Sequence, residues 1–286
     1  MKKILLAPNP HRDLDFAATR KIYEILSRQG YELKISLPFN IEAKVELPSD
    51  LNFEPMADTI AWAELVICLG GDGTILHMAV PAAQYDLPLL GVNMGKIGFI
   101  TDIEKSELEL LENFADRKIQ YDYRMMLEIA VERGGEEILR LTALNDAVVS
   151  TGPAARLAGL EISSDGVEIL EFFGDGVIIA TPTGSTAYCM AAGGPIVEPE
   201  AENIIVTPIC PHNLTARSRV LSGGRHVTVN SSGNPTRTLW VSADGGEAFR
   251  LEPEDTLHIR RSENKTCLAR IKNQSFFKSL EDKLST

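Results

Sequence analysis

The chain has 286 residues, 44% of them hydrophobic and 24% charged, with a formal net charge of −12. That length accommodates two domains with separate cores, and the composition is that of a globular protein. The acidic balance excludes a general affinity for nucleic acid or anionic membrane, so an anionic nucleotide would have to be held by local amides, cations or a metal.

The four cysteines, Cys68, Cys189, Cys210 and Cys267, are scattered with no C-x-x-C pair, which argues against a zinc site. Cys68 and Cys189 sit in apolar segments and read as small buried hydrophobes in a reducing compartment. The apolar run after Lys2-Lys3 is cut off by Pro8-Asn9-Pro10, too early for a signal peptide. No segment reaches the length of a membrane span, so the expected location is the cytoplasm.

In chain order, residues 4–7 read as a strand and 15–28 as a helix closed by Gly30. Residues 31–35 read as a second strand and 37–57 as loop. Residues 65–69 form an apolar strand, followed by a helix expected to stop near Pro81, and 89–93 are another strand. This alternation predicts a mainly parallel sheet with helices on both faces, and ligands in such sheets sit beyond the carboxyl ends of the strands. Residues 106–115 have helical spacing. From about 119 to 265 short strands dominate. They include a hairpin around Gly134-Gly135, a second between 226–230 and 238–242, and a late strand at 256–260. Residues 276–284 read as an amphipathic helix packing back on the first domain. The predicted architecture is an α/β domain with a parallel sheet (1–118, joined by 266–286) plus a mostly β, sandwich-like domain (119–265).

Three stretches carry chemistry. Gly70-Gly71-Asp72-Gly73-Thr74 follows a buried strand and opens a helix. Glycines let another molecule approach the backbone, and amides at a helix N-terminus favour negative charge. A carboxylate at the centre of such a loop suggests contact with a hydroxyl or a metal beside a bound phosphate. Capping by Asp72 or Thr74, or a plain connection, is the simpler alternative. The loop is neither a Walker A motif nor a G-x-G-x-x-G fingerprint. Asn93-Met94-Gly95-Lys96-Ile97-Gly98 is a second backbone-rich loop, where packing alone is the alternative. Pro182-Thr183-Gly184-Ser185-Thr186, before an apolar helix ending at Gly193-Gly194-Pro195, sets hydroxyls at a helix start. That suits ribose or phosphate, or capping alone. Asn145 and Asp146 interrupt an apolar strand as an Asx turn, a bulge, or a ribose or adenine contact.

Taken together, G-G-D-G-T at 70–74, N-x-G-x-x-G-F-I-T at 93–101, Asn145-Asp146, and D-G-x-I-I-x-T-P-T-G-S-T-A-Y at 175–188 with A-G-G-P-I at 192–196 resemble the NAD kinase family. Residues 207–212 and 243–246 are also family-like, and the resemblance spans nearly the whole chain. The first motif alone is shared with lipid kinases and 6-phosphofructokinases, whereas the T-P-T-G-S-T-A-Y run separates this chain from them. The resemblance implies transfer of phosphate from ATP or polyphosphate to the 2′-hydroxyl of the adenosine ribose of NAD. It also implies Mg²⁺ or another divalent ion, a homodimer or homotetramer, and NAD lying between the domains. By position Asp72 is the proton acceptor. The nucleotide-contacting set is Gly71, Gly73, Thr74, His77, Asn93, Asn145, Asp146, Arg156, Phe173, Asp175, Thr183, Gly184, Ser185, Thr186, Ala187, Tyr188, Cys189, Met190, Ala191, Cys210 and Gly246. Phe173 stands where many relatives carry a basic residue, and Gly246 where many carry Gln or Lys. His77 replaces an Arg or Lys of some relatives. A lipid kinase sharing the first loop and a non-catalytic dinucleotide sensor are the rival functions.

Overall fold

In the computed structural model, which describes residues 1–38, 45–95, 98–152, 157–213, 215–232, 238–272 and 275–284, apolar runs bounded by turn residues build the first unit. Its elements are β1 (Lys3–Pro8), α1 (Ala17–Arg28), β2 (Glu32–Ile35), the short α2 (Met56–Thr59), β3 (Leu65–Gly70), α3 (Asp72–Ala83), β4 (Pro88–Asn93) and β5 (Ile103–Glu104). Ile4 and Leu6 of β1, Ile67 and Leu69 of β3, and Leu90 and Val92 of β4 share one core with Ala18, Ile22 and Leu26 of α1. The strands run parallel in the order β2-β1-β3-β4, with β5 beside the end of β4. The chain leaves β1 toward β2 on one side and returns to β3 on the other. The strand order therefore switches between β1 and β3, and crevices for ligands open at the carboxyl ends of strands at such a point. Pro8, Gly70 and Asn93 are those ends.

α3 ends at Ala83, two residues beyond Pro81 and so near the stop expected from the sequence. A proline removes one amide and crowds the carbonyl four residues back, but only two helical residues follow, so little ladder is lost. Residues 106–115 are not an α-helix. They form 3₁₀ turns at Lys105–Leu111 and Phe114–Asp116, because Glu107 leaves the helical region and Asn113 takes a left-handed φ of 54°. The Glu107 carboxylate instead accepts from the Glu104 amide at 2.9 Å and from the Lys272 ammonium at 2.8 Å.

The units are Met1–Tyr123 with Lys265–Thr286, and Arg124–Asn264. The chain passes between them inside β6 (Gln120–Arg133) and, further on, inside a long late strand, so no linker composition marks the passage. The second unit continues with β7 (Glu136–Ala143), β8 (Asp146–Ser150), β9 (Ala158–Ser164), β10 (Val167–Gly174), β11 (Gly176–Ala180), α4 (Tyr188–Ala191), β12 (Asn203–Ile209), β13 (Arg219–Ser222), β14 (Val227–Ser232), β15 (Leu239–Ala243), β16 (Phe249–Leu251) and β17 (Thr256–Arg270). One antiparallel sheet has the order β13-β12-β11-β8-β15-β16, and another is built on β10-β9-β14-β17. Strand alternation explains the layers. Val177 and Ile179 meet Leu160, Ile162, Val227 and Val229 in a sandwich core, while Ile178 and Ala180 face the other way onto Cys189 of α4. The fold is thus a parallel-sheet α/β unit and a mostly antiparallel β unit.

The β6–β7 hairpin forms as expected. The second expected hairpin does not. β14 pairs with β9 and β17, whereas β15 pairs with β8 and β16 in the other sheet. Alternation tells which face of a strand is buried but not which strand it joins, and Val227, Val229, Leu239 and Val241 all serve one core. The late strand is far longer than 256–260; it runs to Arg270, and its end pairs in parallel with β4. α5 (Phe276–Leu284) closes the chain. Burial pushes the Cys68 thiol up to about 12, an inert hydrophobe as its apolar strand suggests. Among the described residues, no helix is long and apolar enough to cross a membrane.

The turn after β1 is set by Asp13, which is buried and accepts from the amides of Ala18 and Thr19 and from the Thr19 hydroxyl at 2.9, 2.9 and 2.6 Å. Asp13→Ala leaves these first-turn donors of α1 unmatched. It is expected to cost about 1–2 kcal/mol, read as a lower denaturation midpoint at unchanged m-value.

Candidate active site

At the end of β3 the chain turns through Gly70 and Gly71 straight into α3. Gly70 must be glycine, because a Cβ there would lie 2.0 Å from Thr74 Oγ1. Thr74 is buried, and its hydroxyl accepts from the Gly71 amide and from Asn9 Nδ2, each at 3.4 Å, tying the end of β1 to this loop. Asp72, the first residue of α3, is half-buried. Its carboxylate reaches the segment after β4: Phe99 N–H donates to Oδ2 at 2.7 Å and Ile100 N–H to Oδ1 at 3.1 Å. Gly98 is needed for this approach, since a Cβ there would lie 2.1 Å from Thr101 Oγ1 and 3.3 Å from Asp72 Oδ1. Each carboxylate oxygen can accept two bonds, so both keep an acceptor site for a further donor.

Asn93 is buried, and part of its hydrogen-bonding capacity holds the local structure. Its Nδ2 donates to Glu104 at 2.9 Å, and its Oδ1 accepts from the Gly95 amide at 3.0 Å. Around these groups is a cavity of ≈ 830 Å³ lined by Asn9, Arg12, residues 70–74, His77 and residues 93–95. Six of the anticipated residues in this unit besides Gly70 therefore converge on one cavity: Gly71, Asp72, Gly73, Thr74, His77 and Asn93. It opens where the strand order switches. Arg12 is a lining cation that the sequence reading missed; a lone Arg in a Pro-rich turn has no pattern to mark it. A second cavity of ≈ 600 Å³ lies between α1 and β2, but its cations are engaged, Arg20 with Asp50 and Lys34 with Glu54.

In the second unit the constellation is organised by a residue not singled out from the sequence. The Asp244 carboxylate accepts from the amides of Leu144, Asn145 and Asp146 at 2.7, 2.7 and 3.1 Å. Asp244 itself adopts φ 50° in the turn closed by Gly246 N–H to the Ala243 carbonyl. Thr181 links this turn to the hydroxyl-rich one: its Oγ1 donates to the Leu144 carbonyl at 2.6 Å and accepts from the Gly184 amide at 3.1 Å. Gly184 packs so close that a Cβ would stand 2.1 Å from the Asn145 carbonyl oxygen. Thr183 accepts from Arg124 at 3.3 Å, Ser185 accepts from the Val197 amide at 3.1 Å, and Thr186 donates to the Thr183 carbonyl at 3.3 Å. The run at 183–186 is a 3₁₀ turn followed by the single turn of α4, shorter than the expected helix, and its hydroxyls are largely committed to the local backbone. Asn145 and Tyr188 are the accessible polar groups beside it. Cys189 is buried, with its thiol 3.3 Å from Thr207 Oγ1.

A separate group comprises Phe173, Asp175 and Cys210. The Asp175 amide donates to the Ile209 carbonyl at 3.0 Å, and a hydrogen bond to Asp175 raises the pKa of the exposed Cys210 thiol. Phe173 is half-exposed. These residues adjoin Gly176, at one end of β11, whereas Asp146 pairs with Ala180 at the other end. Four residue steps at about 3.3 Å separate the two groups by roughly 13 Å. The structure thus brings Asn145, Asp146 and 181–189 together and sets Phe173, Asp175 and Cys210 apart from them. Arg156 lies outside the described residues.

Asp146 is buried, and burial together with the neighbouring Asp244 charge raises its carboxyl from 3.8 to about 7. A carboxyl whose folded value exceeds its unfolded one is penalised when it ionises. Its contribution is complete below about pH 4 and is lost as the pH rises through about 7. Asp146→Asn cannot ionise, so its melting temperature relative to the parent should climb between pH 4 and pH 7 and level off above. A difference that stays flat across that window contradicts the assignment.

Comparison with known proteins identifies the family. Residues 9–119 match the ATP-NAD kinase N-terminal domain, and residues 144–271 match the ATP-NAD kinase C-terminal domain. The chain is 36% identical over 286 residues to the NAD kinase of Caldanaerobacter subterraneus subsp. tengcongensis, covering 100% of this chain and 99% of that protein. It shares the fold of yeast NADH kinase complexed with NADH, with a TM-score of 0.81 at 22% identity over 100% of this chain and 88% of that one. An NAD kinase from Archaeoglobus fulgidus in complex with ATP superposes with a TM-score of 0.71 at 25% identity, covering 100% and 99% of the two chains. Two matching domain models and a full-length relative place the chain in one group of phosphotransferases: it belongs to the NAD kinase family.

Proposed function

We propose that the chain transfers the γ-phosphate of ATP, or a terminal phosphate of polyphosphate, to the 2′-hydroxyl of the adenosine ribose of NAD, giving NADP, with Asp72 as proton acceptor. The observation that carries this reading is the Asp72 carboxylate, held by two backbone amides and facing an open cavity with acceptor capacity to spare. Phosphoryl transfer needs in-line positioning and charge neutralisation more than covalent help. A ribose hydroxyl donating to Asp72 would be oriented before the phosphate arrives. Its proton would pass to the carboxylate as the new P–O bond forms and the bond from the transferred phosphorus to the bridging oxygen of the donor breaks, releasing ADP or the shortened polyphosphate. Amides of the Gly71–Gly73 segment and Arg12 would face the donor phosphates, supplying positive charge without reorganisation. In the second unit, Asn145, Asp146 and Tyr188 would hold the nucleotide.

A divalent ion fits this chain in one way. Among the described residues no three His, Cys, Asp or Glu side chains cluster into a metal cage. Asp72 is the carboxylate among the residues lining the cavity, which suits Mg²⁺ bound mainly through donor phosphates and one protein oxygen. Such an ion would cancel phosphate charge. A homodimer or homotetramer belongs to the same reading, with Phe173, Asp175 and Cys210 serving a contact distinct from the Asn145–Asp146 turn.

General-base assistance is worth about 10²–10⁴-fold, so Asp72→Asn should lower kcat for NADP formation at least that far; its amide NH2 would also oppose one of the Phe99 and Ile100 N–H groups, so the melting temperature should fall as well. The assay mixes protein, Mg-ATP and NAD and follows NADP. NAD binding with no NADP from the parent protein points instead to a sensor, and near-parental turnover by Asp72→Asn removes the proton-acceptor role.

A further inference from the structure

The Asp72 carboxylate is only as well placed as the two amides that hold it, and those amides belong to an irregular segment. What fixes that segment comes from the far end of the chain. Arg270, the last residue of β17, is mostly buried, with 16% of its side chain exposed. One guanidinium nitrogen, Nη1, donates to the carbonyl of Ile100 at 2.9 Å and to that of Thr101 at 3.0 Å. Ile100 is also one of the two residues whose amides bind Asp72, so the same residue is gripped by Arg270 at its carbonyl and by Asp72 at its amide. The guanidinium is in turn oriented by two carboxylates, Asp102 at 3.9 Å and Asp122 at 3.5 Å. Asp102 closes the clamp, since its Oδ2 accepts from the amides of Ile271 and Lys272 at 2.8 and 3.2 Å. On its other side the segment rests on β4, where Asp102 N–H donates to the Gly91 carbonyl at 2.9 Å and a Cβ at Gly91 would stand 2.9 Å from Thr101 Cα.

We propose that Arg270 is a positioning residue for the phosphoryl-transfer step, setting the height and tilt of the Phe99 and Ile100 amides and through them the direction in which Asp72 faces. The inference rests on the proton-acceptor role of Asp72. A guanidinium is suited to the task because two of its N–H bonds diverge in one plane and meet two successive carbonyls at fixed angles. A lysine ammonium reaching the same place is a freely rotating point charge, and it holds the segment less firmly. Arg270 is not among the residues lining the cavity, so its contribution lies in the precision of Asp72. Misplacement of a reacting group by about 1 Å costs on the order of 10²-fold.

The test uses full-length Arg270→Lys and Arg270→Ala, with kcat and the KM values for NAD and ATP measured alongside melting temperature. The expected result is a fall in kcat of about 10²-fold for Arg270→Ala and a smaller fall for Arg270→Lys, with both KM values within about twofold of the parent. Low-millimolar guanidinium should restore part of the kcat of folded Arg270→Ala and should leave the parent unchanged. If Arg270→Ala does not fold, the kcat-against-KM split in Arg270→Lys carries the test. Parental kcat in a folded variant, a loss confined to KM, or a loss that follows only the fraction of unfolded protein each overturns the proposal. Asp72→Asn is run in parallel. If it turns over like the parent, the underlying reading fails. If it is inactive while the Arg270 variants are not, the positioning role alone fails.

Discussion

The site in the first unit depends on one bidentate contact, the Asp72 carboxylate against the amides of Phe99 and Ile100. A carboxylate at the first position of a helix would ordinarily spend itself on its own first turn. Here the glycine turn before α3 carries it across to the segment after β4, so two neighbouring parallel strands are joined at their carboxyl ends by a charged hydrogen bond. Such bonds are stronger than neutral ones and shorter on average. They also leave the outward lone pairs of the carboxylate available, so the group is fixed in position while still able to receive a proton. The closeness of Gly98 to Thr101 and Asp72 goes with the same contact, since a side chain at Gly98 would crowd the carboxylate, while at Gly70 a side chain would meet Thr74 and Asn9.

The second unit repeats the solution with different residues. Asp244 gathers three consecutive amides, and the turn carrying Asn145 and Asp146 is shaped by it. In a chain with net charge −12, both groups of candidate residues are organised by an acid binding main-chain amides. Backbone amides are rigid once the strands are in place, and this preorganisation is what an electrostatic site requires. The cost appears at Asp146, a buried carboxyl beside another carboxyl, whose ionisation is held back toward neutral pH.

What was legible in the sequence divides along sequence distance. The strand, glycine turn and helix around Asp72 are contiguous, and their hydrophobic period and glycines suffice to place the loop at a strand's carboxyl end. The Thr181–Gly184 turn is local too. The partners that give these loops their shape are not: Asp244 acts on Leu144 across 100 residues, and Arg270 acts on Ile100 across 170. Asp244 lies in the family-like stretch 243–246, but a lone Asp in a turn and a lone Arg at a strand end carry no periodicity that would assign their partners. The same limit explains the hairpin expected between β14 and β15, where alternation identified two strands but assigned them to each other. It also explains Asn93 and the hydroxyls at 183–186. Their polarity pointed to a ligand, yet much of it is consumed in holding the turns.

The most direct test of the account is a crystal structure of the full chain with NAD and a non-hydrolysable ATP analogue. The account predicts a carboxylate oxygen of Asp72 at about 2.6–3.2 Å from the 2′-hydroxyl of the adenosine ribose, with the Phe99 and Ile100 bonds retained. An adenosine ribose whose 2′-hydroxyl faces some other base, with Asp72 still bound only to its two amides, would contradict it.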